Sequence, residues 1–527
     1  MTRALLPREH SPARDPSFWK ADVRFLQGFV PLREYLRRPH QPVCDTDVSV
    51  TLEDMRALSA FRVEGFRLTL GLGPAVADNF AATGSAGNKT TIFPHLGVIQ
   101  LASFLRAFGA VVAVRDALVD AGFSDADKLA ISDRARLLRA LAGQADAELE
   151  GLLDRWLAFL DLRDADALGL SAANEADALS FVLLKRRMHA CGLRVPLIVG
   201  GYWLYESFRP FGGEIDVLVF DEGEVPLLLA CHARRHRKNP RWIPGVAFLR
   251  EDGGWHLHKA THSMNVRAVP DLTGFPLDRY SWATYAGWEG PTIPYQFSLG
   301  CPFDCAYCNA AHKRRFKQRD HRLVLHDLQR LHDQHGVRQF FFLNEAFNSS
   351  GKYADALLAG MTAAKRDWRW CDCARPTNVD LDLLQRMRAA GCEWLNWGYD
   401  TLSDRMSEFY GRRVKSEPFA RVLADSASAG IRNSINVIVG MPHETEADVV
   451  AFLDFARRNR HNIHWVFLFT YDFIAHSALG QSPAKYGVQL RADGQGVDEI
   501  GGLKWPERRA KAALTLARIE AALGPNS

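Results

Sequence analysis

The sequence predicts an α/β protein in two successive parts, a doubly wound parallel sheet and then a partial (β/α)6 barrel, followed by a helical tail. Three observations carry that expectation. Short apolar runs alternate with longer amphipathic stretches over 61–235, and the alternation resumes over 289–475. Between the two series, from 236 to 288, the chain turns rich in Pro, Gly, Trp and His, as a crossing linker would. The length of 527 residues is also too great for one ordinary core.

Taken in order, residues 1–60 hold several prolines and few periodic apolar runs, and read as an extension packed on another part. Phe66 to Gly73 reads as a strand running into a glycine loop, Leu96 to Phe108 as a helix, and Ala110 to Arg115 as a second strand. Asp166 to Ser171, Val195 to Gly201 and Ile215 to Phe220 supply three more strands. The Ala-, Leu-, Asp- and Arg-rich stretch 124–164 reads as an inserted helical pair. In the second series six strands are expected, at 296–300, 339–343, 368–373, 393–398, 434–439 and 464–470. Helices such as 381–390 and 418–429 separate most of them, and functional residues belong at the strand C-terminal ends. The region 476–527 ends in an amphipathic helix, Trp505 to Leu523.

Composition narrows the function classes. Hydrophobic residues at 47% and charged residues at 24% suit a globular chain rather than a disordered one. No run approaches the ~18 consecutive apolar residues of a membrane span, so no span is expected. The first ten residues hold no apolar core of the kind a secretory signal needs. A net charge of +4 is mild and does not argue for a nucleic-acid partner. The nine cysteines are odd in number, and three fall within eight residues, a poor disulfide framework and a good ligand set. A reducing, cytoplasmic enzyme is the expectation.

Those three form Cys301-Pro-Phe-Asp-Cys305-Ala-Tyr-Cys308. Thiolates are the usual ligands of iron–sulfur clusters, and a cubane held by only three of them keeps one iron open. An open iron can chelate the amino and carboxylate groups of a methionine-type ligand. Structural zinc, with His312 as the near fourth ligand, and free thiols are the alternative readings. The spacing, with Tyr307 before the last cysteine, resembles the C-x3-C-x-aromatic-C pattern of the radical S-adenosylmethionine (SAM) superfamily. Further blocks over about 290–475 resemble the same family: Phe341 to Phe347 with Glu345, Leu383 to Cys392, Gly398 to Thr401, and Gly440 to Thr445. The resemblance implies a [4Fe–4S] cluster on Cys301, Cys305 and Cys308. It implies SAM contacts from Tyr307, Glu345, Asp400, Thr401 and Gly440, while Arg375, placed after the third barrel strand, is read as a carboxylate-holding contact to SAM or substrate. Asp400 and Thr401 stand where the family more often has glutamate and serine.

The first sheet resembles the Rossmann-like cobalamin-binding domain that precedes many radical SAM domains. The matching turns are Phe93 to Gly97, Gly169 to Ser171, Val199 to Gly201 and the acidic turn Asp221 to Glu224, all at expected strand C-termini. Small residues there let backbone approach a flat macrocycle. Cobalamin contacts are therefore expected from Pro94, Leu96, Gly97, Ser171, Gly200, Gly201, Glu222 and Gly223. The aspartate–x–histidine–x–x–glycine motif that gives cobalt a histidine is absent. His95 lacks the orienting aspartate, so either cobalt has no histidine ligand or the domain is vestigial and binds nothing; the first is the expectation.

Weaker features are read as structure first. Cys371 and Cys373 flank Asp372 on one strand and share a face by alternation, where they could donate a hydrogen atom or hold a second cluster; packing is the simpler reading. Cys44, Cys191, Cys231 and Cys392 read as core residues. The basic runs His312 to Arg319 and Arg234 to Lys238 read as solvated faces. The resemblance as a whole implies a cobalamin-dependent radical SAM C-methyltransferase acting on an unactivated carbon of a small-molecule or peptide natural-product intermediate. It also implies an external electron donor such as flavodoxin or ferredoxin. Two other readings stay open: a non-methylating enzyme of the same architecture that rearranges, cyclises or inserts sulfur, and a non-enzymatic cobalamin or redox sensor.

Overall fold

The computed structural model describes residues 29–37, 44–75, 94–172, 174–201, 205–211, 213–220, 222–280, 288, 290–308, 316–492, 494 and 496–524. The chain divides into two compact units, essentially 1–291 and 292–527, with 330–336 grouped with the first. Among the described residues no helix is long and apolar enough to cross a membrane.

In the first unit, β1 (Val30–Pro31) and β2 (Val48–Val50) come from the stretch expected to be an extension. The main sheet is built from β3 (Arg67–Leu72), β4 (Val111–Asp116), β5 (Ala167–Ser171), β6 (Leu197–Gly200), β7 (Val217–Val219), β8 (Val246–Leu249) and β9 (Trp255–His256). Its spatial order is β4-β3-β5-β6-β7-β8-β9, the first five strands parallel and the last two added antiparallel. The central strands read as near-continuous apolar runs because helices cover both faces, which is what a parallel sheet demands. Direction of winding reverses between β3 and β5, and a doubly wound sheet binds ligands in the crevice at such a point, beyond the strand C-termini.

Two expectations change here. The stretch 236–288, expected as a linker, carries β8, β9 and β10 (Ala260–His262), and β10 pairs with β2 in a three-stranded parallel sheet. Its Pro and Gly residues mark turns between very short strands, which periodicity cannot register. The stretch 124–164 is three helices rather than two: Asp125–Ala130, Arg134–Leu141 and Ala147–Leu160. Ser124, Asp133 and Asp146 each cap one through a side-chain oxygen. The buried face of the last helix, with Trp156 and Leu160, packs into the core of the unit.

The second unit is an open parallel sheet in sequence order: β11 (Thr292–Tyr295), then, past the short hairpin β12 (Ser298–Leu299) and β13 (Lys317–Gln318), β14 (Gln339–Phe342), β15 (Arg369–Ala374), β16 (Cys392–Asp400), β17 (Arg432–Val439) and β18 (Trp465–Thr470). The antiparallel pair β19 (Val488–Leu490) and β20 (Val497–Glu499) and the helix Trp505–Leu523 follow. The first barrel strand lies earlier than expected, at 292–295 rather than 296–300. Pro294 argues against a strand in sequence, but β11 is the edge of the sheet, where a missing N–H is tolerated. Ser298 and Leu299 instead pair antiparallel with Lys317 and Gln318, so the cysteines lie on the loop of this hairpin. Lys317 and Arg319 are consequently buried rather than on a solvated helix face, and Arg319 is ion-paired with Asp327 at 2.9 Å. The rest of that basic run, 312–315, lies outside the described residues.

Candidate active site

The cysteine loop leaves β12 through Gly300, whose φ of +79° is a left-handed conformation that glycine adopts without strain. Cys305 is buried, while Cys301 and Cys308 are partly exposed. The loop is pinned by Ala306 N–H donating to the Tyr410 carbonyl at 2.9 Å and Cys308 N–H to the Cys305 carbonyl at 3.1 Å. Two guanidinium groups converge on Cys305: Arg375 Nη1 and Arg412 Nη1 each lie 3.8 Å from its Sγ. Arg375 also stacks over the Phe303 ring at 4.0 Å and donates to the Arg412 carbonyl. Asn348 fixes the Arg375 backbone, accepting its N–H at 3.0 Å and donating to its carbonyl at 2.8 Å.

At the end of β16, Asp400 Oδ2 accepts from the Tyr307 hydroxyl at 2.9 Å and pairs with Arg412 Nε at 3.1 Å. Burial, and then the charge of Asp400, push the Tyr307 pKa well up, so the phenol stays protonated and donates. Asp400 itself has φ +64° at an irregular register between β16 and β17, an uncommon conformation of the kind that clusters at functional sites. Arg412 reaches this place by crossing Gly398. A Cβ there would meet Arg412 Nη2 at 2.1 Å, so any larger residue would push the guanidinium aside.

Among the described residues no three His, Cys, Asp or Glu side chains converge as ligands of a single metal ion would. A cubane asks for something else, three thiolates each on its own iron. Three cysteines on one tight loop, with two arginines offsetting their negative charge, fit that group in donor chemistry. Burial raises the Cys301 pKa, so its thiol would ionise on binding metal rather than before.

The other expected residues fall into distinct settings. Glu345 is exposed at the end of β14. The buried Thr401 hydroxyl donates to the Ser403 carbonyl at 3.4 Å within its own turn. Gly440, with φ +84°, donates its N–H to Glu444 Oε2 at 2.6 Å, and a Cβ on it would meet Ala512 Cβ of the C-terminal helix at 2.4 Å. Cys371 is buried against the Phe340 carbonyl, and burial holds its thiol well above the usual range. Cys373 accepts from Asn396 Nδ2 at 3.8 Å, and burial with Asp372 beside it pushes its pKa up to about 12.

In the first unit, Pro94, Leu96 and Gly97 begin the helix after β3, Ser171 and Gly200 end β5 and β6, and Glu222 and Gly223 follow β7. All stand at one edge of the parallel strands. Phe93 and Asp221 lie outside the described residues. A Cβ on Gly201 would strike the Ala172 carbonyl oxygen at 2.3 Å, while one on Gly200 would find nothing closer than 3.7 Å. Among the described residues the turns after β5 and β6 thus touch through backbone at Ala172 and Gly201, a ledge open to a flat macrocycle. The acidic turn is tied to the returning strand: Glu222 accepts the His262 N–H, and buried Glu224 faces His262 at 3.4 Å and Arg267 at 3.6 Å. Burial alone would raise the Glu224 pKa, but those two partners outweigh it and bring it to about 2. His95 caps the helix Leu96–Ala107, its Nδ1 accepting the Val98 N–H at 3.3 Å. The run Arg234 to Lys238 is exposed, and three of its arginines line a cleft of about 530 Å³ at the opposite edge, beside the starts of β3, β5 and β6.

Sequence reasoning missed Arg412, Asn348 and Asn344. Arg412 follows a six-residue helix and Gly411, and no local pattern separates it from a surface arginine; its contact with Cys305 exists only once β16 and the cysteine loop meet. Residues 295–456 match the family model described as the radical SAM superfamily, so this part of the chain is a radical SAM domain. An uncharacterized methyltransferase of Pyrococcus horikoshii is 22% identical over 56% of this chain and 64% of its own length. The anaerobic magnesium-protoporphyrin IX monomethyl ester cyclase of Cereibacter sphaeroides is 24% identical over 47% of this chain and 42% of its own. The chain therefore spans less than two thirds of each of these relatives. Two solved structures share the fold across both units. They are the radical SAM methyltransferase TsrM of Kitasatospora setae with cobalamin and [4Fe–4S] cluster bound (TM-score 0.60, 16% identity, 87% of this chain and 89% of that one) and the cobalamin-dependent radical SAM enzyme OxsB with aqua-cobalamin and SAM bound (0.63, 15%, 90% and 68%).

Proposed function

We propose that this protein is a cobalamin-dependent radical SAM enzyme that methylates an unactivated carbon of a small-molecule or peptide natural-product intermediate. The observation that carries the reading is the cysteine loop held at the strand C-termini of an open parallel barrel, with Arg375 and Arg412 on Cys305. The ledge at the edge of a separate doubly wound sheet supports it. Cys301, Cys305 and Cys308 would hold the [4Fe–4S] cluster. Tyr307, Asp400 and Arg412 form a connected acid–base set beside it, suited to fix the polar groups of SAM. Glu345, Arg375, Thr401 and Gly440 are proposed around the same ligand, with Arg375 holding the loop from behind. Pro94, Leu96, Gly97, Ser171, Gly200, Gly201, Glu222 and Gly223 would border cobalamin. Bound there, these groups supply radical initiation and a methyl carrier, while the protein aligns them and excludes competing reactions. The enzyme would work in the cytoplasm with an external one-electron donor such as flavodoxin or ferredoxin.

The test is anaerobic reconstitution with iron, sulfide, cobalamin and SAM, beside a mass-spectrometric comparison of metabolites from cells with and without the gene. Retained cobalamin and a product heavier by one CH2 are expected. A second reading, a non-methylating rearrangement or cyclisation on the same architecture, draws on the likeness to the ester cyclase. Equal yields of 5′-deoxyadenosine and methylated product would exclude it, and a product without the added CH2 would favour it.

A further inference from the structure

Between the cysteine loop and the third barrel strand runs a short buried chain of hydrogen bonds whose direction can be assigned at every link. Phe297 and Ser298 are the residues from which the loop departs, three positions before Cys301 at the nearer one. Both offer backbone N–H groups to a single atom of Asn344, at 3.2 Å and 2.8 Å, and the Ser298 hydroxyl reaches the same atom at 3.0 Å. Backbone N–H groups can only donate, so that atom is the amide oxygen of Asn344, and its NH2 must face the other way. There it meets Asp372 Oδ2 at 2.6 Å, while Oδ1 of the same carboxylate accepts the N–H groups of Cys373 at 2.8 Å and of Asn344 at 3.3 Å. Phe297, Ser298, Asn344 and Asp372 are all buried, from 0% to 4% exposed. No water-exposed route lets a mismatch relax.

We propose that Asp372 is a positioning residue for the three-cysteine loop, acting through Asn344 to fix the polarity of the hydrogen bonds that hold Phe297 and Ser298. The proposal rests on the reading that Cys301, Cys305 and Cys308 hold a cluster. A carboxylate is the one side chain of this size that accepts on both oxygens. It can therefore take the amide NH2 on one side and two backbone N–H groups on the other. That requirement explains an acidic side chain buried in a strand between Cys371 and Cys373, where burial pushes its pKa well up and an apolar residue would pack at lower cost. It also ties the loop's other foot in place, because the Phe297 carbonyl accepts from Arg319 N–H at 2.8 Å across the hairpin.

The polarity can be reversed without changing shape, and this supplies the test. In Asp372→Asn an NH2 must confront a donor on one side or the other. In Asn344→Asp two carboxylates face each other. In the double variant Asn344→Asp/Asp372→Asn every bond can form again, with only the central one reversed in direction. The full chain of each is reconstituted anaerobically with iron and sulfide. Iron content, the electron paramagnetic resonance of the reduced cluster and amide hydrogen exchange across residues 295–300 are then measured. Each single variant should exchange Phe297 and Ser298 at least about tenfold faster and show a broadened or missing cluster signal, and the double variant should return both to near wild type. An Asp372→Asn protein with wild-type exchange and signal overturns the proposal. A double variant no better than the single ones, or one that fails to fold, overturns it equally. A wild-type chain that takes up no cluster refutes the cluster reading alone, and the exchange data still decide the relay.

Discussion

His95 stands at the expected cobalamin edge, and its place in the helix cap sets what its ring can do there. The Val98 N–H is a donor, so the Nδ1 it meets carries the lone pair and the proton sits on Nε2. Burial lowers the pKa of this histidine, which favours the neutral ring. Cobalt ligation through Nε2 would need the opposite tautomer, with Nδ1–H pressed against Val98 N–H. That exchange forfeits the cap and leaves buried donors facing each other, about 2–4 kcal/mol together, or roughly 30- to 1,000-fold in binding. Bound cobalt(II) should therefore show electron paramagnetic resonance lines without nitrogen triplet splitting, the cofactor's benzimidazole being displaced as well. His95→Ala should leave those lines unchanged while destabilising the helix by about 0.5–1 kcal/mol, read as a lower thermal midpoint. Triplet splitting in the wild type that vanishes in His95→Ala would refute the tautomer argument. Splitting in both proteins would assign the nitrogen to retained benzimidazole.

Three further outcomes are expected. Replacing Cys301, Cys305 or Cys308 by Ala should abolish the broad absorbance near ~400 nm of the reconstituted protein and its reductive SAM cleavage, these three thiolates being the proposed protein ligands of the cluster; a triple variant that still forms 5′-deoxyadenosine would sink the assignment. Asp400→Ala should leave iron content intact but weaken SAM binding roughly ten- to hundredfold by calorimetry, the loss of about 1.5–3 kcal/mol from a charge-assisted bond. Glu224, lowered from 4.5 to about 2 in the folded protein, should add about 3 kcal/mol of stability above pH 4.5 that disappears as pH falls toward 2. The gap in urea stability between wild type and Glu224→Gln should accordingly narrow on acidification, and a gap that widens would reverse the sign assigned to the His262 and Arg267 pairing.

The α/β class and the parallel order of both sheets were readable because buried strands and their covering helices repeat over long distances. What escaped was local or three-dimensional. Pro294 hid the first barrel strand, since a proline is acceptable there only because β11 has a neighbour on one side. The strands within 236–288 are two to four residues long, below the length at which alternation shows. Lys317 and Arg319 read as a solvated run because charge was visible and the buried Asp327, eight residues beyond Arg319, was not recognisable as a partner. The cysteine triplet was legible as a ligand set because its chemistry is carried by adjacent residues. Arg412 and Asn344 were not, because each acquires its role from an atom on another strand.

The contrast among the nine cysteines bears on how such a protein survives exposure to air. Cys231, Cys371, Cys373 and Cys392 are all held far up their titration range by burial, Cys231 and Cys373 at about 12, so at neutral pH they offer almost no thiolate to oxidants, alkylating agents or stray iron. Of the three cysteines proposed to hold the cluster, Cys301 and Cys308 are the ones within solvent reach. Oxidants in solution would therefore meet Cys191, which is exposed rather than in the core as its sequence context suggested, and the partly exposed Cys301 and Cys308 before any of the four interior thiols.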